Sequence, residues 1–291
     1  MKKTRAPKLS SLRDPLPTAA MPAARTARPV RVAGAPRPVR TEKVSTDNVD
    51  EQRVYHLTHI SNLGAILQDG RLLANDALTA RPTVDISAPG TRDLRRAARV
   101  SGDGRSVAEY VPFFLSPNAT VWESVRAEAA EAADPRLARD AHGSEAFDFV
   151  MLVSTVKKIN DGMAERAAAE IVSAKARVDE AQIDPAEEAV PFVASVIAVT
   201  NGDAAGALTR FGATPATAER MLQTLRAEAD GAMILEAELL VPDAVPMDLI
   251  TLIGVCNDNV RETVRGILKA SSYQPKVAVY PPWFHTSADP Q

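Results

Sequence analysis

The sequence predicts an α+β fold, and three observations carry that prediction. Short apolar segments of strand character are interspersed with helical patterns in irregular order, without the strand–helix alternation of a doubly wound sheet. No G-x-G-x-x-G run opens a helix, which disfavours a Rossmann dinucleotide fold. Apolar residues make up 45% of the 291-residue chain and aromatics 4%, so one or two domains with a largely aliphatic core are expected.

The chain opens on a basic arm. From Met1 to Lys43 there are 11 Lys/Arg against two acids, Asp14 and Glu42, a local +9 that leaves −12 on the rest of a chain of net charge −3. The stretch is Arg-rich and acid-poor like a transit peptide, but it has no signal-peptide apolar region. Its seven prolines argue against an amphipathic helix. Residues 1–50 therefore read as disordered, either a solvated tail or an arm that tracks phosphates. No apolar run approaches the ~20 residues of a spanning helix, so no membrane partner is expected. The single cysteine, Cys256, excludes an internal disulfide framework and suits a reducing, cytoplasmic setting. No metal is expected, since His142 and His285 lack ligand spacing.

Folded structure is expected over 51–272, with 273–291 as a tail. Val54–Leu57 reads as a strand. A helix follows, capped by Ser61 or Asn62, with Leu63, Ile66 and Leu67 on one face and Gly70 as its stop. Thr79–Arg105 reads as a long loop, either functional or a solvated basic segment, holding six arginines: Arg81, Arg92, Arg95, Arg96, Arg99 and Arg105. Tyr110–Pro117 is a strand bounded by prolines, and Asn118–Ala133 a helix. Phe147–Val153 and Phe192–Val199 read as buried strands. Between them, Met163, Ala167, Ile171, Ala174 and Val178 recur at helical spacing, a helical insertion at about 160–190. Thr217–Ala227 reads as a helix, Ile234–Val241 as a strand, Asp248–Val255 as a further strand with its approach, and Val260–Ala270 as a helix.

Two segments suggest chemistry. Alternation along a strand puts Leu235, Ala237, Leu239 and Val241 on one face of Ile234–Val241 and Glu236 and Glu238 on the other. That second face is either solvent-exposed or functional, because buried carboxylates cost free energy unless paired or used. His56 and Thr58 share a face of the first strand, where an imidazole and a hydroxyl can hydrogen-bond the two hydroxyls of a ribose. The arginine-rich loop can grip a pyrophosphate, since guanidinium matches phosphate oxygens bidentately.

Taken in order, four stretches resemble the DarT family of NAD-dependent DNA ADP-ribosyltransferase toxins. They are Tyr55-His56-Leu57-Thr58-His59-Ile60-Ser61-Asn62-Leu63, Tyr110-Val111-Pro112-Phe113-Phe114 with Ser116-Pro117, Val199-Thr200-Asn201-Gly202-Asp203, and Ala237-Glu238-Leu239-Leu240-Val241-Pro242-Asp243. The resemblance runs from about Val54 to Leu268. It implies an ADP-ribosyltransferase-like fold: two small, mostly antiparallel sheets with flanking helices and an NAD cleft between them. By resemblance, Glu238 is the catalytic carboxylate and an arginine of the Thr79–Arg105 loop is catalytic, Arg95 fitting best with Arg92 and Arg96 as close rivals that otherwise bind the cofactor. His56, Thr58 and Asn62 hold NAD, and Tyr110 and Phe113 shape the pocket wall. Asn118, Asn201 and Asp203 occupy positions expected to meet nucleic acid.

At those positions the chain departs from the pattern. Relatives often place an arginine where Asn118 stands, and many have Asp-Gly-His where this chain has Asn201-Gly202-Asp203. The resemblance implies single-stranded DNA as acceptor, with RNA or water, or an inactive binding module, as alternatives. It also implies a macrodomain antitoxin as partner.

Overall fold

The structure, a computed structural model, describes residues 50–100, 104–126, 134–177, 195–198, 210–212 and 232–285. The basic arm before Asp50, the helix expected over 217–227, all of 178–194 and the motif at 199–203 lie outside the described residues.

Strand β1 (Arg53–His59) is covered on both faces, as its apolar run implies. Val54 faces one apolar core, while Tyr55 and Leu57 face another. The same parity recurs on β4 (Phe149–Thr155), where Val150 and Leu152 join the first core and Phe149, Met151 and Val153 the second. The first core also takes Leu63 and Leu67 from helix α1 (Leu63–Asp69). Val156 and Ile159 from the long helix α5 (Val156–Arg177) enter it too. The second takes Trp122 from α3 (Thr120–Arg126) and Ala141 from α4 (Arg139–His142). Gly70 ends α1 at φ 70°, and a Cβ there would stand 2.5 Å from the Tyr273 hydroxyl. Both the left-handed backbone and the close approach call for glycine at this position.

The remaining strands are β2 (Arg71–Leu73), β3 (Tyr110–Phe114), β5 (Ser195–Ala198), β6 (Arg210–Gly212), β7 (Ala237–Pro242), β8 (Ala244–Pro246), β9 (Leu252–Val255) and β10 (Lys276–Val279). The main sheet runs β10-β9-β4-β1-β3-β7-β5-β6, and β2 and β8 form a separate pair. Among the described residues every strand pairing is antiparallel except β10 with β9. The α+β expectation holds, and the main sheet itself has two halves. Strand β1 matches β4 along its whole length, yet meets β3 only at Tyr55↔Phe114. The cleft is lined at that junction by His56 and Thr58 of β1 and by Pro112 and Phe114 of β3.

Several boundaries differ from expectation. The segment 79–105 is not all loop: helix α2 (Pro89–Ala97) runs through it, with Pro89 in its first turn. The strand expected from Ile234 starts at Ala237, because Ala232–Glu236 form the short helix α6. The strand expected from Asp248 is a 3-10 turn, Met247–Leu249, followed by β9. The last helix, α7, spans Asp258–Leu268. Residues 273–285 join the fold: β10 completes the sheet edge, and Trp283 and Phe284 are buried in the second core. Indole and phenyl rings of that size are drawn inward by the apolar area they remove from water.

Candidate active site

The seam between β1 and β3 positions His56. Its Nδ1 lies 2.8 Å from the Pro112 carbonyl oxygen. A carbonyl only accepts, so Nδ1 carries the proton. Burial pushes the imidazole pKa below 6.5, the Pro112 bond opposing. The ring is therefore neutral, with Nε2 left as an acceptor on the cleft lining, and it packs against Phe113 with centroids 5.5 Å apart. Two residues on, Thr58 is 4% exposed and its Oγ1 accepts from Asn62 Nδ2 at 3.4 Å. Asn62 also donates to the Val84 carbonyl at 2.8 Å and accepts from the Val84 N–H at 3.0 Å. Asn62, expected as an NAD ligand, lines the cleft, and its amide pins the segment around Val84.

Helix α2 supplies the opposite wall. Arg95 Nη1 lies 3.0 and 3.2 Å from the two carboxylate oxygens of Glu238, 143 residues away in sequence. Both side chains are 12% exposed. The second terminal nitrogen, Nη2, is buried and has no hydrogen-bond partner among the described residues. A buried guanidinium donor without a partner is costly, and it marks where an anionic or hydroxyl-bearing ligand would bond. Arg92, one turn earlier, is held by Asp85 and by the Ser87 carbonyl at 2.5 Å, also on the cleft. Arg96 is turned away: its Nε bonds Asp76 at 2.9 Å, its side chain is 49% exposed, and it is absent from the lining. Arg96 lies about 100° round the helix from Arg95, on the side where Asp76 holds it. The expectation for Arg96 is corrected. Ser106 Oγ fixes the end of the helix, 3.1 and 3.0 Å from the carbonyls of Arg95 and Arg96.

Strand parity decides the rest of the wall. Tyr110, Pro112 and Phe114 line the cleft, whereas Phe113 is fully buried in the first core with Leu239 and Val241. Phe113 was expected on the wall; it lies behind His56, because residues one apart on a strand face opposite ways. Glu238 and Glu236 both reach the cleft, from the start of β7 and the end of α6. Asn118 is exposed, accepts from Arg126 Nη1 at 3.0 Å, and is not part of the lining. Asn201 and Asp203 lie outside the described residues.

The sequence reading missed Arg136. This side chain lines the cleft, donating to Glu236 Oε2 at 2.7 Å and, through Nε and Nη2, to Asp134 at 2.6–3.0 Å. Those bonds keep the Asp134 carboxyl below its usual range even though burial alone would raise it. The backbone of Arg136 meanwhile accepts from Ala88 N–H at 2.9 Å and Thr91 Oγ at 3.0 Å. A lone arginine after Asp-Pro in a loop carries no periodic signal, so only folding reveals it.

The cleft has a volume of about 370 Å³, within the roughly 300–1,000 Å³ of small-molecule sites. Its residues fit a nicotinamide dinucleotide: a neutral imidazole acceptor, an orphaned guanidinium donor and a carboxylate converge on it. Fold and site together define an ADP-ribosyltransferase-like protein: a main mixed sheet and a small second sheet with helices, and a cleft lined by strand and helix residues.

Residues 55–174 and 195–285 match the family model described as "ssDNA thymidine ADP-ribosyltransferase, DarT". The chain belongs to the DarT family. Two mycobacterial proteins named "DNA ADP-ribosyl transferase", from Mycobacterium tuberculosis and Mycobacterium bovis, are each 39% identical over 67 residues, 22% of this chain and 28% of theirs. The chain thus aligns with little more than a quarter of the length of these relatives. The fold resembles that of Thermus sp. 2.9 DarT solved with ADP-ribosylated ssDNA (TM-score 0.58, 21% identity, 80% of this chain and 96% of that one). It also resembles the same protein solved with carba-NAD+ (TM-score 0.52, 22% identity, 80% and 98%).

Proposed function

We propose that this protein transfers ADP-ribose from NAD to thymidine in single-stranded DNA. The observation that carries the reading is the meeting of His56, Arg95 and Glu238 in one cleft, on elements far apart in sequence. The family description and the ligands of the Thermus relative supply the donor and acceptor classes. NAD supplies a ribosyl carbon whose bond to nicotinamide breaks, nicotinamide leaving with the electron pair, as a bond to a base nitrogen forms.

The chain's own residues account for the rest. Neutral His56 accepts a ribose hydroxyl at Nε2. Arg95 holds the Glu238 carboxylate in place and offers its free Nη2 to the donor. The carboxylate faces the positive charge that develops on the ribosyl carbon. In thymidine the one ring nitrogen bearing a proton is N3, and Glu238 takes that proton as the nitrogen attacks. A base in a duplex is inaccessible, so single-stranded substrate is expected, and the basic arm favours binding that weakens with salt.

The family resemblance extends this reading to a cytoplasmic toxin countered by a macrodomain hydrolase. Among the described residues no helix is long and apolar enough to cross a membrane. Incubation with labelled NAD and thymidine-containing single-stranded oligonucleotides tests the core claim: labelled DNA and stoichiometric nicotinamide are expected. Label on RNA alone, or free ADP-ribose without labelled DNA, would overturn it. Growth arrest on expression, relieved by a co-expressed macrodomain, is expected of the toxin role.

A further inference from the structure

We propose that the Arg136–Glu236 pair is the part of the cleft that reads the acceptor base, with Arg136 donating to a carbonyl oxygen beside the attacking ring nitrogen. The inference rests on the transferase reading above and assigns the acceptor side of the same site.

Position along the sheet is the first argument. His56 is bonded to Pro112, and Pro112 is paired with Leu240. Glu238 lies two residues back along β7, paired with Phe114. Glu236 lies two residues further in the same direction, at the end of α6. The order along the cleft is therefore His56, Glu238, Glu236–Arg136. With the donor ribose at His56 and the reacting carbon at Glu238, the ion pair stands on the far side of the carboxylate, where an incoming nucleophile must sit.

Chemistry is the second argument. A guanidinium has five N–H donors. Nε and Nη2 bond Asp134 and Nη1 bonds Glu236, three in all, which leaves two of the five without a partner among the described residues. Arg136 is 16% exposed and Glu236 17%, so these donors meet a ligand in a partly dry site. Asp134 and Glu236 together more than balance the arginine's charge. That makes the group a poor phosphate clamp and a suitable donor to a neutral acceptor.

Thymine offers carbonyl oxygens on both carbons flanking N3, whereas cytosine replaces one of them with an amino group. A guanidinium donor set opposite O4 favours thymine over cytosine, whose amino group there cannot accept; one set opposite O2 meets the same oxygen on either base. Because both carboxylates hold the guanidinium plane, the donors are set before the base arrives.

The test uses the full chain and single-thymidine oligonucleotides carrying thymidine, 2-thiothymidine or 4-thiothymidine, sulfur being the weaker acceptor. The wild-type protein is expected to transfer more slowly to one of the two thio substrates. Arg136→Gln is expected to slow transfer to thymidine by roughly 10- to 100-fold, the range of a hydrogen bond from a charged donor, with NAD affinity unchanged. It should also lose the preference for oxygen over sulfur. Arg136→Lys, which keeps a donor, should recover part of the rate.

Wild-type protein that uses all three substrates at one rate overturns the proposal. So does an Arg136→Gln variant slowed equally on all three, which is the signature of a merely structural arginine. Should Arg136→Gln fail to fold, the wild-type comparison needs no substitution and decides the matter. Absence of labelled DNA from wild-type protein with every substrate is a different result; it removes the transferase reading itself.

Discussion

Two walls bound the cleft, and different forces hold them. The strand wall, β1 and β7, sits in the middle of the sheet. Both strands are paired along their length, and their apolar side chains fill the cores. The helix wall, α2, has no buried residue. It is kept in place by side chains and a few backbone bonds: Arg95 on Glu238, Arg92 on Asp85, Ser106 on the last carbonyls, and Ala88 on Arg136. The lesson is that the groups on the strands are placed by the fold, whereas those on the helix are placed by charge. Single substitutions should therefore separate chemistry from architecture on one side and combine them on the other.

The largest effect is expected at the strand wall. Glu238→Gln keeps the shape and a bond to Arg95 but removes the base, so transfer should fall by ~10²–10⁴-fold. NAD affinity, read by calorimetry, should stay within a few-fold. Near-normal transfer in this variant would remove Glu238 from the mechanism.

On the helix wall, Arg95→Ala should combine both losses. It leaves a nearly buried carboxylate unpaired, at a cost of about 3 kcal/mol, measurable by urea denaturation, and NAD affinity should fall with it. Unchanged stability would mean that α2 is held by something other than this pair.

Acidification probes β1. The native His56 pKa lies below 6.5, so the unfolded chain takes up a proton first. Its contribution to stability is complete above about pH 6.5 and declines as pH falls through the lowered value. NAD affinity should fall over the same range, since protonation removes the Nε2 acceptor, and His56→Gln should flatten the profile.

The smallest effect belongs to Arg96→Ala, next door to Arg95 but facing solvent. Melting temperature and NAD affinity should match the parent protein; a clear loss of either would mean that sequence neighbourhood matters more than the facing described above.

Much of the strand wall was legible in the sequence. The apolar parity of Ala237, Leu239 and Val241 against Glu238, and the Leu63–Gly70 helix with its glycine stop, follow from periods of two and 3.6 residues. Phe113 was misplaced although its parity was readable: it is three residues from Tyr110, so the two rings face opposite ways on one strand. Helix α2 was hidden because it buries nothing and so shows no apolar periodicity, and the glycines and prolines around it resemble a loop. Its one signal was Pro89 at a helix start. The helical turn at Ala232–Glu236 was read as strand because Ile234 and Leu235 suit either structure, and five residues are too few to show a period.

By itself the sequence determined which residues alternate inward, where the chain turns, and that His56 and Glu238 belong to different strands with a polar group on each. These are local properties, fixed by backbone geometry within a few residues. Only the tertiary structure decided that β1 and β3 meet at a single pair beside the cleft, that Arg95 rather than Arg96 reaches the Glu238 carboxylate, and that Arg136 bonds Glu236 on the same cleft. Ion pairs spanning 100 residues or more depend on how the chain packs as a whole, and no local pattern encodes them.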